Sequence, residues 1–443
     1  MEQLSNGLIM AAQVLLSLSI LVGLHEFGHL IAAKIFGMRV EKFSIGFPPK
    51  IFGFQHGETE YSLGAIPLGG FVKISGMVDE SMDTEYQKQE PQPWEYRSKP
   101  AWQRLIVMLG GIFANIITGI LVFVIMIYSL GESYVSKEEL NKHGIVAYQL
   151  GQELGLQTGD RILKVNGHEY QKFSDLKGPE VLLGDNSYYT VQRGEETLKV
   201  FIPGDFIEKF ADEGAADRFF EPRFPFEIVD IMKGSGAEKV GLERGDEIVK
   251  LNDQPIQYFY QLKGYLAQYD QATLNLEILR KGQLFTLNNL ELGENNTLGI
   301  YHRPLLEISY TNYSFMESIP KGTGIAFGII GTQLKAFSKM FSGELNPVKS
   351  LSGPIGIARS FGNTWDWTRF WRMTGLLSMV LAFMNFLPIP ALDGGHVVFL
   401  SFEILSGHRP SDNFLENAQK VGLVLLLCLM AFAFGNDIFK IIF

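Results

Sequence analysis

Residues 8–24 read Leu-Ile-Met-Ala-Ala-Gln-Val-Leu-Leu-Ser-Leu-Ser-Ile-Leu-Val-Gly-Leu, and His25-Glu26-Phe27-Gly28-His29 follows directly. The run contains no charged side chain, and apolar character resumes at Leu30-Ile31-Ala32-Ala33. Such a stretch predicts a membrane-spanning helix, which needs about 20 apolar residues. At about 3.6 residues per turn, positions i and i+4 lie about 40° apart, so both imidazoles face the same way. Two neutral imidazoles on one helix face hold Zn²⁺, and the Glu beside them is placed to act as a general base on a water. Ionisable groups set against a bilayer are costly and mark function. The expectation is one Zn²⁺ per chain, held by His25 and His29, with Glu26 catalytic.

The bulk properties narrow the alternatives. The 443 residues are 46% hydrophobic and 19% charged, an average over apolar ends and a polar middle. A net charge of −10 argues against a nucleic-acid partner. The single cysteine, Cys428, lies in an apolar C-terminal run, so an intrachain disulfide or a cysteine zinc site is excluded and the ligands must be His or carboxylate. Residues 1–33 carry no Lys or Arg, so the basic start of a signal peptide is missing and the first segment reads as a retained helix.

Four stretches are long enough to span a bilayer: 7–35, 105–130, about 373–392 and about 421–439. A fifth, 324–341, carries Gln333, Lys335 and Lys339 and reads as an amphipathic helix on the membrane surface. Basic residues crowd 34–104 (Lys34, Arg39, Lys42, Lys50, Lys73, Lys88, Arg97, Lys99, Arg104), which places that segment in the cytoplasm and the N-terminus and polar middle outside. The fold class expected is a polytopic α-helical membrane protein with about four transmembrane helices, a membrane-associated β-hairpin region and two extracytoplasmic α/β modules. The boundaries expected are a first helix at 1–36, the hairpin region and a mobile loop at 37–100, and a second helix at 101–130. Modules follow at 131–222 and 223–303, then a connector at 304–365, a third helix at 366–396, a cytoplasmic loop at 397–419 and a fourth helix at 420–443.

The two modules come from an internal repeat. Residues 155–166 (GLQTGDRILKVN) and 241–252 (GLERGDEIVKLN) share the frame GLxxGDxIxKxN: a helix end, a glycine turn and a strand of alternating apolar residues. This resembles the PDZ fold, which binds an extended peptide by adding it as a strand. The second copy has the full approach segment, 228–237, and Ile228, Val229 and Gly236 are its candidate peptide-binding residues. The first copy lacks the Gly-Ser-Gly-Ala element. Residues 43–77 alternate around Gly and Pro and read as hairpin strands whose free edge suits an unfolded substrate. Residues 79–94 are acidic and proline-punctuated, a loop.

Zinc needs a further ligand. Asp393 stands in 385–395 (NFLPIPALDGG), where Pro388 and Pro390 break the helix, and His396 stands nearby as an alternative. Unwound backbone at membrane depth is tolerated where it lines a cavity. HEFGH at 25–29, GIFAN at 111–115, IPLGGFVKISG at 66–76, LSGPIGIA at 351–358 and NFLPIPALDGGH at 385–396, with the paired repeats, resemble the site-2 protease family in its bacterial regulator-of-sigma-E type. The resemblance implies intramembrane proteolysis at a bacterial inner membrane, with Zn²⁺ on His25, His29 and Asp393. It implies a substrate-binding role for Asn385 and for the segments holding Gly69, Gly70, Phe71, Pro388 and Pro390. The substrates it implies are single-pass membrane proteins, an anti-sigma factor or remnant signal peptides, with the PDZ pair excluding bulky outer domains. Two other readings are a membrane-anchored PDZ adaptor, disfavoured by the intact motifs, and a tethered protease for soluble substrates, disfavoured by the apolar setting of HExxH.

Overall fold

A computed structural model describes residues 2–77, 90–211 and 216–442. It divides into two compact units, Met1–Gly131 with Asn312–Phe443, and Glu132–Thr311.

The first unit is helical: α1 (Glu2–Ile35), strands β1 (Val40–His56) and β2 (Thr59–Ile74), α2 (Ala101–Leu130), α3 (Phe315–Phe341), α4 (Pro354–Phe361), α5 (Trp367–Phe386), α6 (Asp393–Ser406) and α7 (Asp412–Ile442). Local chemistry sets several ends. Ser314 and Glu317 form a capping box that starts α3, and Asp366 accepts from the Thr368 and Arg369 amides to start α5. Among the described residues, three helices are long and apolar enough to cross a membrane: α1, α2 and α7. Their outward side chains, such as Phe113, Ile117 and Leu121 of α2 and Val424, Leu425 and Leu427 of α7, are exposed and apolar, which suits lipid rather than water.

The region expected as the third span differs. Its helix, α5, ends at Phe386 rather than 392, because Pro388 disfavours helical backbone at the residue before it. Arg369 and Arg372 occupy its first turns, and it packs along α2 and α3. The loop expected at 397–419 is instead helical up to Ser406 and again from Asp412. The amphipathic segment 324–341 is the later part of α3, which packs on α2 and α5 with Ala326 fully buried beside Phe123 and Met379. Arg104, counted among the basic residues that orient the chain, is buried and paired with Glu403 of α6. Polar side chains tie the helices: the Ser17 and Thr374 hydroxyls meet at 3.0 Å, and the Gln13 amide donates to the Gly362 carbonyl.

The hairpin region folds twice on itself. Residues 40–45 pair with 70–74 on one side and with 60–63 on the other, and 59–64 pair outward with 50–56. Its inner face joins Val40, Phe43, Val72 and Ile74 to Leu30, Ala33 and Met108 of the helices. The loop expected at 79–94 lies, for 79–89, outside the described residues.

The second unit contains both copies of the repeat. In the first, Arg161–Val165, Tyr188–Arg193 and Glu196–Phe201 form a three-stranded antiparallel sheet. In the second, Gln254–Pro255, Glu247–Leu251, Thr273–Arg280 and Gln283–Glu291 form a four-stranded sheet in that order. The shared frame has a structural reason at each fixed position. Leu156 and Leu242, with Ile162 and Ile248, enter the two cores. Asp160 and Asp246 are buried, accept from the backbone amides of Gln157 and Glu243, and each binds an arginine through both oxygens, Arg193 and Arg280. That pairing raises the pKa of both arginines above the ordinary guanidinium value. Asn166 and Asn252 take positive φ and accept from the amides of Tyr188 and Asn275. Strand Ser309–Thr311 pairs with Glu132–Tyr134, so the first residues of the expected connector belong to this unit and its two ends lie side by side.

Candidate metal centre and active site

Helix α1 presents His25 and His29 one turn apart, with ring centroids 4.8 Å apart and planes nearly perpendicular. The other half of the site comes from the break between α5 and α6. Pro388 and Pro390 end one helix, and Asp393 opens the next, where a helix N-terminus favours a carboxylate. Gly394 and Gly395 seat the first turn of α6 on the break: a Cβ on them would lie 2.1 Å from the Leu387 carbonyl oxygen and 2.7 Å from that of Ile389. The break thus aims Asp393 at the two histidines.

Three donor atoms converge there. His25 Nε2 and His29 Nε2 are 3.2 Å apart, and Asp393 Oδ2 is 3.1 Å from the first and 3.4 Å from the second. Ligands about 2.0–2.1 Å from a tetrahedral ion stand about 3.3–3.4 Å from one another. The spacing and the donor set of two imidazoles and a carboxylate fit a metal ion, and among the described residues this is the group whose donors come within 4.8 Å of one another. His396, the alternative ligand, is not among these donors, and its Nε2 lies 2.9 Å from the Gln419 side-chain amide.

The other expected site residues lie around this cluster to different degrees. Glu26 follows His25 on the same turn of α1. Gly70 runs close beneath it: a Cβ there would come 3.4 Å from Glu26 Cγ and 2.7 Å from the Ser44 carbonyl oxygen. Gly69 packs on the Phe47 ring, and the Lys42 ammonium lies 5.6 Å from the centre of the Phe71 ring. Asn385, in the last turn of α5, brings Nδ2 to 3.4 Å from His25 Nε2. Pro390 is covered by α7 at Gly422, and Pro388 is exposed.

The residues named for peptide binding fare differently. Ile228 is 1% exposed and belongs to the core of the second repeat, so its side chain is closed to a ligand. Gly236 packs against the Glu291 backbone, and Val229 is half-buried. Sequence reasoning did not find the contacts that hold the site: His29 Nδ1 on the Val107 carbonyl oxygen, Asn115 on His25 Nδ1, and Glu403 on Arg104. It also missed Asp437 of α7, which accepts from the amides of Gly353, Ile355 and Gly356 at the start of α4.

Comparison with known proteins decides the family. The model of Peptidase family M50 matches residues 13–429. The chain belongs to peptidase family M50. Its M50 relatives align end to end. A "Regulator of sigma-E protease RseP" of Salmonella typhimurium is 28% identical, over 96% of this chain and 97% of its own length. A "Regulator of sigma E protease" of Haemophilus influenzae is 27% identical, over 96% and 98%. A Vibrio cholerae protein named provisionally as a zinc metalloprotease is 28% identical, over 96% and 97%. This M50 chain is accordingly a metalloendopeptidase, with helices apolar enough to be membrane-embedded.

Proposed function

We propose that this peptidase cleaves transmembrane segments of single-pass membrane proteins, using Zn²⁺ held by His25, His29 and Asp393. The observation that carries the reading is the meeting of those three donors inside a bundle built on apolar, span-length helices. The substrates are an anti-sigma factor already trimmed on its outer side, remnant signal peptides, or both. The protein sits in a bacterial inner membrane, with the hairpin region and active site toward the cytoplasm and the repeats, as a PDZ pair, outside.

When bound, zinc acidifies a water and polarises the scissile carbonyl. Glu26 takes the water proton and returns it to the leaving amine. Asn385, with its amide directed at the ligand cluster, donates to the substrate backbone beside the cut. A helical substrate hides its peptide bonds in hydrogen bonds, so it must first unwind. Strand residues 70–74 pair with β1 along one edge, and among the described residues no strand covers the other, which runs past Glu26. An unwound segment added to that edge would lie against the catalytic residues. Gly or Pro near the cytoplasmic end of a substrate helix should therefore speed cleavage relative to an all-Leu helix, and equal rates for the two would refute the unwinding step. The deciding experiment is cleavage of a tagged single-pass reporter with a short outer stub, in cells making wild type or Glu26→Gln. Product with wild type alone supports the reading. No product across a panel of apolar segments, from protein that carries zinc, refutes it.

A further inference from the structure

The two histidines are not held in the same way, and the difference assigns a task to α2. Val107, Gly111 and Asn115 lie four residues apart, so they form one stripe along α2 facing the HExxH turn of α1. The helices run in opposite directions there. His29 meets the stripe at Val107, and His25 meets it at Asn115. Between them, both rings lie over Gly111, where a Cβ would be 2.4 Å from His29 Nε2 and 2.6 Å from His25 Cε1.

A histidine that gives Nε2 to a metal must carry its proton on Nδ1. His29 has that tautomer fixed: its Nδ1 is 2.8 Å from the Val107 carbonyl oxygen, which can only accept. His25 Nδ1 is instead 3.2 Å from Asn115 Nδ2, the nitrogen of the side-chain amide. An amide offers a donor or an acceptor according to which way it is turned. With Nδ2 toward the ring, it suits a His25 that keeps its proton on Nε2 and gives it to Asp393. With Oδ1 toward the ring, it suits a His25 whose Nε2 is free. Asn115 is 1% exposed, its Oδ1 has no partner, and its backbone carbonyl is pinned by the Ser378 hydroxyl at 2.7 Å.

We infer that Asn115 is a positioning residue of the metal centre: with its amide turned over, exchanging Nδ2 for the unpartnered Oδ1, it accepts from His25 Nδ1–H and so holds His25 in the tautomer that frees Nε2 for the ion. The inference rests on the zinc reading above. Partners of this kind commonly contribute about 10–100-fold to metal affinity.

The test is zinc affinity of the purified full-length chain by chelator competition, with metal-free unfolding temperature as the control for folding. Asn115→Ala removes the acceptor and should weaken zinc binding about 10–100-fold with little change in metal-free unfolding. Asn115→Asp has the same shape and only accepts, so it should bind zinc at least as tightly as wild type. Asn115→Ser, which keeps a hydroxyl acceptor, replaces it if the aspartate variant does not fold. Equal affinity in wild type and Asn115→Ala overturns the inference. So does an equal loss in the alanine and acceptor-keeping variants, or a loss that tracks the metal-free unfolding temperature, since either would make the contact a matter of packing. A wild type that binds no more zinc than His25→Ala would overturn the metal reading itself.

Discussion

At the scale of single residues, Glu26 is separable from the three converging donors. It adjoins His25 but is not one of them. Glu26→Gln should therefore retain zinc while peptidase activity falls about 10²–10⁴-fold, the usual contribution of a general base. Zinc content by elemental analysis beside single-turnover cleavage checks both halves; loss of the metal in this variant would make Glu26 a ligand instead. His25, Glu26 and His29 were legible because their geometry is local, set by helical periodicity alone. Asp393 was legible as an acidic residue beside a proline break, although its choice over His396 leaned on resemblance. The roles of Val107 and Asn115 were not legible, since no spacing within α1 says which stripe of another helix will face it. The burial of the Ile228 side chain was not legible for a related reason: an alternating strand has a core face, and periodicity alone does not say which residues point to it.

At the scale of elements, a buried ion pair ties the start of α2 to the body of α6, whose first residue is Asp393. Arg104 and Glu403 have side chains only 7% and 16% exposed, and Arg104 also donates to the Lys99 carbonyl. Breaking such a pair from one side costs about 3–5 kcal/mol, whereas replacing both partners with apolar groups is often neutral. Arg104→Met should therefore lower the unfolding temperature markedly, and Arg104→Met with Glu403→Leu should recover most of the loss. Additive losses would show that the pair does not act as a unit. α6 escaped notice because a polar, proline-containing stretch follows it at 407–412 and reads as a loop, and because its Glu403 lies 299 residues from its partner Arg104. The repeat was read in full along its own length, yet Arg193 and Arg280 were overlooked. The signal existed: each follows its aspartate by nearly the same interval, 33 and 34 residues. Asp246→Ala removes the buried acceptor of the Glu243 amide and one of the acceptors of Arg280, an expected cost of about 1–3 kcal/mol within that repeat. Hydrogen exchange should show lost protection around 241–252 with zinc content unchanged, because all three metal donors belong to the other unit.

At the scale of the whole molecule, the chain separates its chemistry from its polar insertion. The three converging donors, Glu26, Asn115 and Asn385 all lie in Met1–Gly131 and Asn312–Phe443, while Glu132–Thr311 carries both repeats. This division was visible in composition, because a polar middle between apolar ends cannot share one solvent with them. The packing of helices from the two ends was not visible, since it joins residues hundreds of positions apart. The insertion begins and ends on paired strands, with Glu132 opposite Thr311, so excising it and joining Gly131 to Asn312 through a short linker restores a close chain path. If the repeats act as a size filter, wild type should cut a reporter with a short outer stub and spare one with a large folded outer domain, and the excised protein should cut both. If they recruit substrate instead, excision should slow cleavage of the short-stub reporter and leave the large one uncut. Zinc content of the excised protein separates either outcome from simple misfolding, because a filter or a recruiter can be removed without disturbing His25, His29 and Asp393.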